Sequence, residues 1–276
     1  MSDRAPALPE GFRLCHYATI GSTNDEAKAL ARAGAADGTL VWADEQAAGR
    51  GRRGRLWRSP PGNLYLSLVL RPDAAPSRAA QLGFVAALGL GDALQPLVGP
   101  ALRLRYKWPN DLLANGQKLA GILLESETSA SDRVDFVVVG IGVNIVSAPE
   151  DAEFPATSLM ANGIAGVTPA ILLEAFVRHF ADWARRWREE GFAPVRAAWL
   201  AAASGLGENV HVRLELSTLF GRFHDLDDDG ALVLDSPEGR RRISAGAVFP
   251  ALGELESHAA SAPGVLRDAP SGRSSA

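Results

Sequence analysis

The residues that most constrain this chain are Leu64, Leu66, Leu68 and Leu70, which alternate with Tyr65, Ser67 and Val69. A period of two makes this a strand with at least one face in a core, and other segments supply it with neighbours. Phe12 to Ile20 reads as a strand and Leu40 to Ala43 as a short buried one. Leu102, Leu104 and Tyr106 alternate with Arg103, Arg105 and Lys107 up to Trp108-Pro109. Asn115-Gly116 predicts a tight hairpin into Leu119 to Leu124, and Val134 to Val146 is a long strand interrupted by Gly140 and Gly142. Helices fall between these strands. Thr23 and Glu26 have the spacing of a capping box for a helix from about Asn24 to Gly34. Ser77 to Leu97 reads as one helix whose Gly83, Gly89 and Gly91 predict close packing against the sheet. Thr168-Pro169 opens another, with the apolar stripe Leu172, Phe176, Phe180, Trp183 and Trp187 as core and Gly191 as its stop. The fold class expected is α+β.

From Gly205 the texture changes. Val210 to Leu216, Leu219 to Leu226, Ala231 to Leu234 and Arg240 to Ile243 read as four short strands of a small β barrel or curled sheet. It is too small to fold well alone and is predicted to dock on the larger part. The expected division is 12–203 for the large domain, 205–252 for the small β domain and 257–276 for a disordered tail rich in Ala, Ser, Pro, Gly and Arg.

Composition excludes several function classes. The net charge of -4 argues against general affinity for nucleic acid or anionic membrane, so any anion site must be a local concentration of cations. Cys15 is the single cysteine, which rules out an intrachain disulfide, and its apolar neighbours predict a buried core thiol. The first residues carry no signal-peptide pattern, and no run approaches the ~20 apolar residues of a membrane helix. A cytoplasmic location is expected. The histidines lack metal-ligand spacing and no Walker P-loop occurs.

The local concentration of cations is Gly49-Arg50-Gly51-Arg52-Arg53-Gly54-Arg55, flanked by Gln46 and Trp57. Its glycines let backbone N–H groups approach a ligand, and its arginines suit phosphate and carboxylate. An arginine-glycine RNA-binding patch is the alternative, but a position between two apolar strands of an acidic chain favours a lid over a pocket. A second cluster is Lys107-Trp108-Pro109-Asn110-Asp111, followed by Lys118-Leu119-Ala120-Gly121-Ile122-Leu123-Leu124-Glu125. Lys118 could reach into a cleft as a fixed charge; taken alone it reads as a solvated lysine at a hairpin edge. In Gly140-Ile141-Gly142-Val143-Asn144, the glycines mark bare backbone near a ligand or a bulge.

In this order, Ser22-Thr23-Asn24, Gln46 with Gly49 to Trp57, KWPND, KLAGIL and Gly140 to Asn144 resemble the biotin protein ligases over about residues 12–250. The resemblance implies a class II synthetase-like mixed sheet flanked by helices, plus a small C-terminal SH3-like β-barrel. It departs from the repressor-type members, which carry an N-terminal helix-turn-helix, because only residues 1–11 precede the first strand here. It implies an enzyme that forms biotinyl-5′-AMP from biotin and ATP, with Mg²⁺ arriving on the ATP phosphates. The biotin then passes to a lysine of a biotin carboxyl carrier protein. The expected partners include no specific DNA and no membrane, and the chain is expected to act as a monomer or weak homodimer.

The resemblance also implies residue roles. Ser22, Thr23, Asn24 and Gln46 face the ureido ring of biotin. Arg50, Gly51 and Arg52 close over its carboxylate and the α-phosphate. Lys118 is the principal charge at the reacting groups, with Arg52 as its catalytic companion. Trp57, Arg55, Asn110, Asp111 and Asn144 serve the nucleotide. The competing readings are a lipoate or octanoate ligase, an arginine-glycine nucleic-acid-binding protein and a biotin-responsive repressor. The polar Ser22-Thr23 and Gln46 pocket suits a ureido ring better than a flexible apolar chain.

Overall fold

The computed structural model describes residues 6–128 and 133–250. Seven strands form one sheet: β1 (Arg13–Ile20), β2 (Thr39–Gln46), β3 (Leu64–Leu70), β4 (Leu104–Lys107), β5 (Asp111–Ala114), β6 (Gln117–Thr128) and β7 (Val134–Val143). Their order across the sheet is β1-β2-β3-β7-β6-β5-β4. The β1–β2 pair is parallel and the remaining pairs are antiparallel, so the sheet is mixed. The alternating leucines form the centre of it as β3. Every β3 residue is buried, because both faces are covered. Leu64, Leu66 and Leu68 face the main core, and Val69 faces α1 (Thr23–Arg32).

The main core lies between the sheet and three helices, α3 (Leu82–Val98), α4 (Pro169–Glu190) and α5 (Phe192–Ala201), with α2 (Pro76–Ala80) leading into α3. The predicted helix 77–97 is thus interrupted at Gln81. That buried side chain accepts from Trp187 Nε1 at 2.8 Å and donates to Asp228 O at 3.0 Å, which locks the junction. Its glycines do not all face the sheet. A Cβ on Gly89 would lie 2.9 Å from Phe180 Cα on α4, whereas Gly91 makes room for Tyr106 and Gly83 for Leu124. By length and composition, Pro76–Val98 could cross a membrane, which the sequence reading did not allow for. Here it is a core helix, buried by the sheet and α4.

Other expectations change in detail. The capping box is not made: Ser22 is the cap residue, Thr23 turns its hydroxyl to Gln46, and Glu26 accepts from Tyr17 Oη. The strand expected over 134–146 ends at Val143. Asn63 Oδ1 there accepts from the N–H groups of Ile145 and Val146, both at 2.8 Å, and turns the chain. Cys15 is half-buried, not fully buried, and Trp183 sits at the rim of the core, donating to Asp92. Gly191, at φ 80, stops α4 and also starts α5, which was not anticipated. The Asn115-Gly116 hairpin forms as expected, with both residues at positive φ.

The second sheet has five strands where four were expected: β8 (Asn209–Arg213), β9 (Thr218–Leu226), β10 (Leu232–Ser236), β11 (Gly239–Ile243) and β12 (Ala247–Pro250). They are ordered β11-β10-β9-β8-β12. The missed strand, β12, is four residues long and ends on proline, so it offers little pattern. The core of this sheet is continuous with the main core. Trp108 Nε1 donates to Gly230 O at 3.1 Å across the junction. The expected tail 257–276 lies outside the described residues.

Gly89→Val should lower stability by about 1–3 kcal/mol, because backbone of a packed helix blocks the added side chain. Urea unfolding would show it as a lower midpoint at unchanged slope.

Candidate active site

A cleft of about 400 Å³ opens along the middle of the large sheet, between the start of α1, the loop 49–58, the β4–β5 turn, the strands β6 and β7 and residues 149–156. Gly246, Ala247 and Phe249 from the second sheet complete its wall. Every residue assigned a role above lines it: Ser22, Thr23, Asn24, Gln46, Arg50, Gly51, Arg52, Arg55, Trp57, Asn110, Asp111, Lys118 and Asn144.

One end is polar, and its hydrogen bonds form a continuous chain. Gln46 Oε1 accepts from Thr23 N at 2.8 Å and from Thr23 Oγ1 at 3.0 Å, while Gln46 Nε2 donates to Ser59 Oγ at 2.9 Å. Ser67 Oγ lies 2.8 Å from Thr23 Oγ1 and 2.5 Å from Asn24 Oδ1. Asn24 Nδ2 donates to Glu125 Oε2 at 2.7 Å. Such a chain fixes which way each amide and hydroxyl points. Ser59 and Ser67 were not singled out from the sequence, and Glu125 was named only as the end of the Lys118 motif, without a role. Ser67 sits on the minor face of an alternating strand, and no local pattern marks it as part of a site.

The other end is cationic. Lys107 Nζ lies 2.8 Å from Asp111 Oδ2, and Lys118 Nζ lies 2.6 Å from Asp111 Oδ1. Lys118 is one-quarter exposed, not a solvated edge lysine, and its ammonium lies 5.3 Å from the centroid of the Trp57 ring. Lys107 is buried beneath Phe154, 4.5 Å from that ring's centroid. Neither Lys107 nor Phe154 carried an assigned role. Burial pushes Lys107 below the ordinary lysine value against the pull of Asp111, and Lys118 and Arg52 add to that effect. Burial would raise Asp111, but Lys107 and Lys118 outweigh it and hold the carboxyl below its usual range. Residues 155–157 run beside the start of β6, with Lys118 N donating to Pro155 O at 2.8 Å and Thr157 N to Lys118 O at 2.9 Å. That pairing fixes the backbone from which Lys118 projects. Asn110 and Asn144 use their amides to brace backbone, at Ile122 O and Thr157 O.

The loop between the two ends is folded on itself, with Gly51 N donating to Arg55 O at 2.7 Å and Trp57 N to Gly49 O at 2.9 Å. Arg52 donates to Gly246 O at 3.0 Å, so the second sheet helps to place it. Burial and nearby Arg53 lower its pKa from the ordinary arginine value. Arg50 pairs with Asp25 and Glu125, and Arg55 pairs with Glu153. The bare backbone of β7 is filled by protein side chains. A Cβ on Gly140 would overlap the Asn24 amide, and one on Gly142 would lie 2.5 Å from the Trp57 indole.

Comparison with known proteins accounts for this arrangement. Residues 8–201 match the biotin/lipoate A/B protein ligase family, and residues 205–249 match the biotin protein ligase C-terminal domain. The chain is 48% identical to a biotin–[acetyl-CoA-carboxylase] ligase of Paracoccus denitrificans, over 84% of this chain and 98% of that protein.

The chain belongs to the biotin protein ligase family.

The ligase is also 36% identical to the bifunctional ligase/repressor BirA of Bacillus subtilis, over 84% of this chain and 72% of that longer protein. Its structure resembles the Aquifex aeolicus biotin protein ligase solved with biotin and ATP, at a TM-score of 0.73 and 27% identity, covering 86% of this chain and 97% of that one. The mixed sheet with flanking helices and the small SH3-like C-terminal sheet are those of this family.

Asp111→Asn would leave buried Lys107 without its counter-charge, at an expected cost of about 3 kcal/mol. The lost pairing would hold the folded Lys107 pKa even further below its unfolded value. Between those two values the unfolded chain binds the proton that the folded chain releases, so stability rises with pH. Urea titrations should show the deficit of the variant shrinking as pH climbs toward 10, the ordinary lysine range.

Proposed function

We propose that this ligase condenses biotin with ATP in the cleft to give biotinyl-5′-AMP and then passes the biotinyl group to a lysine of a biotin carboxyl carrier protein. The observation that carries the reading is the division of the cleft into a polar end lined by amides and hydroxyls and a cationic end. At the cationic end Lys107, Lys118 and Arg52 surround one carboxylate, Asp111. In a chain of net charge -4, that local excess of positive charge suits a site where one anion must attack another.

The chemistry follows from that charge. The biotin carboxylate attacks the α-phosphorus of ATP, a carboxyl-oxygen–phosphorus bond forms and pyrophosphate leaves. The attacking group is already an anion, so no base is needed. Lys118 and Arg52 stabilise charge on the α-phosphate and carboxylate oxygens in the transition state. In the second step a neutral lysine amine attacks the carbonyl carbon of the mixed anhydride, an amide forms, AMP leaves and one proton is released. The ligase then positions the groups and keeps water away.

Among the described residues no group of three or more His, Cys, Asp or Glu could hold a metal ion. Asp111 is already committed to two lysines, so the residues present do not make a metal cage. Mg²⁺ belongs to this reading as part of the ATP substrate.

The family embraces biotin and lipoate ligases. The hydrogen-bonded chain from Ser59 through Gln46, Thr23 and Ser67 to Asn24 supports biotin, because a ureido ring offers both donors and an acceptor to match it. A lipoyl or octanoyl chain offers that chain of amides and hydroxyls no such donors and acceptors. A cytoplasmic setting and monomeric or weakly dimeric action belong to the same reading.

Biotin-dependent exchange of pyrophosphate into ATP tests the first step, with lipoate as the comparison substrate. Lys118→Ala should remain folded and lose on the order of 3–4 kcal/mol of transition-state stabilisation, a fall of two to three powers of ten in exchange rate. Near-normal exchange in that variant would remove Lys118 from the mechanism.

A further inference from the structure

Four charged side chains beside the polar end form a closed ring. Arg50 Nη1 lies 2.6 Å from Asp25 Oδ2 and Nη2 lies 2.7 Å from Asp25 Oδ1, while Nη2 also lies 3.0 Å from Glu125 Oε2. Lys28 Nζ lies 3.2 Å from Asp25 Oδ1 and 3.0 Å from Glu125 Oε1. Each cation thus touches both carboxylates, and the four charges sum to zero. The quartet adds no net attraction for an anionic substrate, unlike Lys107, Lys118 and Arg52. Its effect is mechanical. Asp25 and Lys28 stand on α1, Glu125 on β6 and Arg50 in the arginine-glycine loop, so the quartet ties three separate segments together. Glu125 also accepts from Asn24 at the polar end, so one carboxylate holds both a pocket residue and the loop. Arg50 and Glu125 are each 27% exposed and Lys28 18%, and pairs this sheltered are screened less than surface ones.

We propose that Asp25 and Glu125 are positioning residues that clamp Arg50 and hold the arginine-glycine loop across the cleft, and that this clamp sets how long biotinyl-adenylate stays bound. The inference rests on the proposed reaction. Arg50 acts through the loop it anchors, and the charge at the reacting groups comes from Lys118 and Arg52. Escape of the adenylate requires the loop to lift, and lifting breaks the Arg50 contacts with both carboxylates. Breaking partly buried charge-assisted pairs shows in the dissociation rate more than in the association rate.

The test is the release rate of labelled biotinyl-adenylate from the full chain, chased with unlabelled biotin, in wild type and in Asp25→Asn/Glu125→Gln. Both substitutions keep shape and an acceptor oxygen and remove charge. The double variant should release adenylate about tenfold faster or more and be cut faster by trypsin within residues 50–55, with KM for ATP changed by less than about twofold. Release from wild type should quicken as salt is raised to 1 M, and release from the double variant should respond much less, because the ion pairs to Arg50 that salt screens are gone. Lys28→Met is the control: it leaves both carboxylates on Arg50 and should not speed release.

Wild-type release in the double variant, or equal acceleration in Lys28→Met, would overturn the clamp. If the double variant does not fold, Asp25→Asn alone decides, since that side chain is 56% exposed and its loss does not threaten the core. It should speed release about threefold, and an unchanged rate overturns the proposal. Failure of wild type to exchange pyrophosphate with biotin would refute the proposed reaction instead. Trypsin cutting without ligand would still report on the clamp.

Discussion

The arrangement of the cleft depends on excluded volume at two positions of β7. Gly140 leaves room for the Asn24 amide and Gly142 leaves room for the Trp57 indole, which also lies against Gly121 on β6. A methyl group at either β7 position would collide with those side chains. α1 could not then bring Asn24 to Ser67 and Glu125, nor could the loop lay Trp57 on the sheet. Hydrogen bonds and ion pairs hold the site in register, but the absence of two Cβ atoms lets its parts meet. Cβ atoms 2.1 Å from the Asn24 amide and 2.5 Å from the Trp57 indole would lie far inside contact distance, and a packed interior yields little.

Charge is used in two ways within this cleft. The Arg50–Asp25–Glu125–Lys28 quartet is balanced, so it contributes cohesion and little field. The Lys107–Lys118–Arg52 group outnumbers its one carboxylate, so it contributes field at the cost of its own stability. Burial raises that cost by weakening hydration of every charge, and the same burial makes the remaining field strong toward a bound phosphate. A chain that is acidic overall can therefore present a site for anionic reactants.

The second sheet is part of this site as well as an appendage to the fold. Its Gly246 carbonyl receives Arg52, and Phe249 from β12 stands beside Phe154 over Lys107. A sheet of five short strands buries too little to be robust alone, and sharing the main core supplies the missing burial. Its docking also fixes the carbonyl that orients Arg52, so domain packing and site geometry are one problem.

What the sequence determined by itself was whatever repeats or punctuates locally. The period of two in β3, the Asn-Gly hairpin and the Thr168-Pro169 helix start are written in adjacent residues, because backbone sterics act over a few positions. The motifs around Ser22 to Asn24, Gly49 to Trp57, Lys107 to Asp111 and Lys118 to Glu125 were legible as a family pattern, and all of them line one cleft. The tertiary structure alone decided the partners. Thr23 abandons the capping box because Gln46, far along the chain on β2, offers a better-placed acceptor. Ser67, Phe154, Asp25 and Lys28 carry no local mark, and β12 is too short to show one. Their roles arise from contacts across the sheet and between sheets. Such contacts depend on where distant segments come to rest, and short-range pattern holds no information about that.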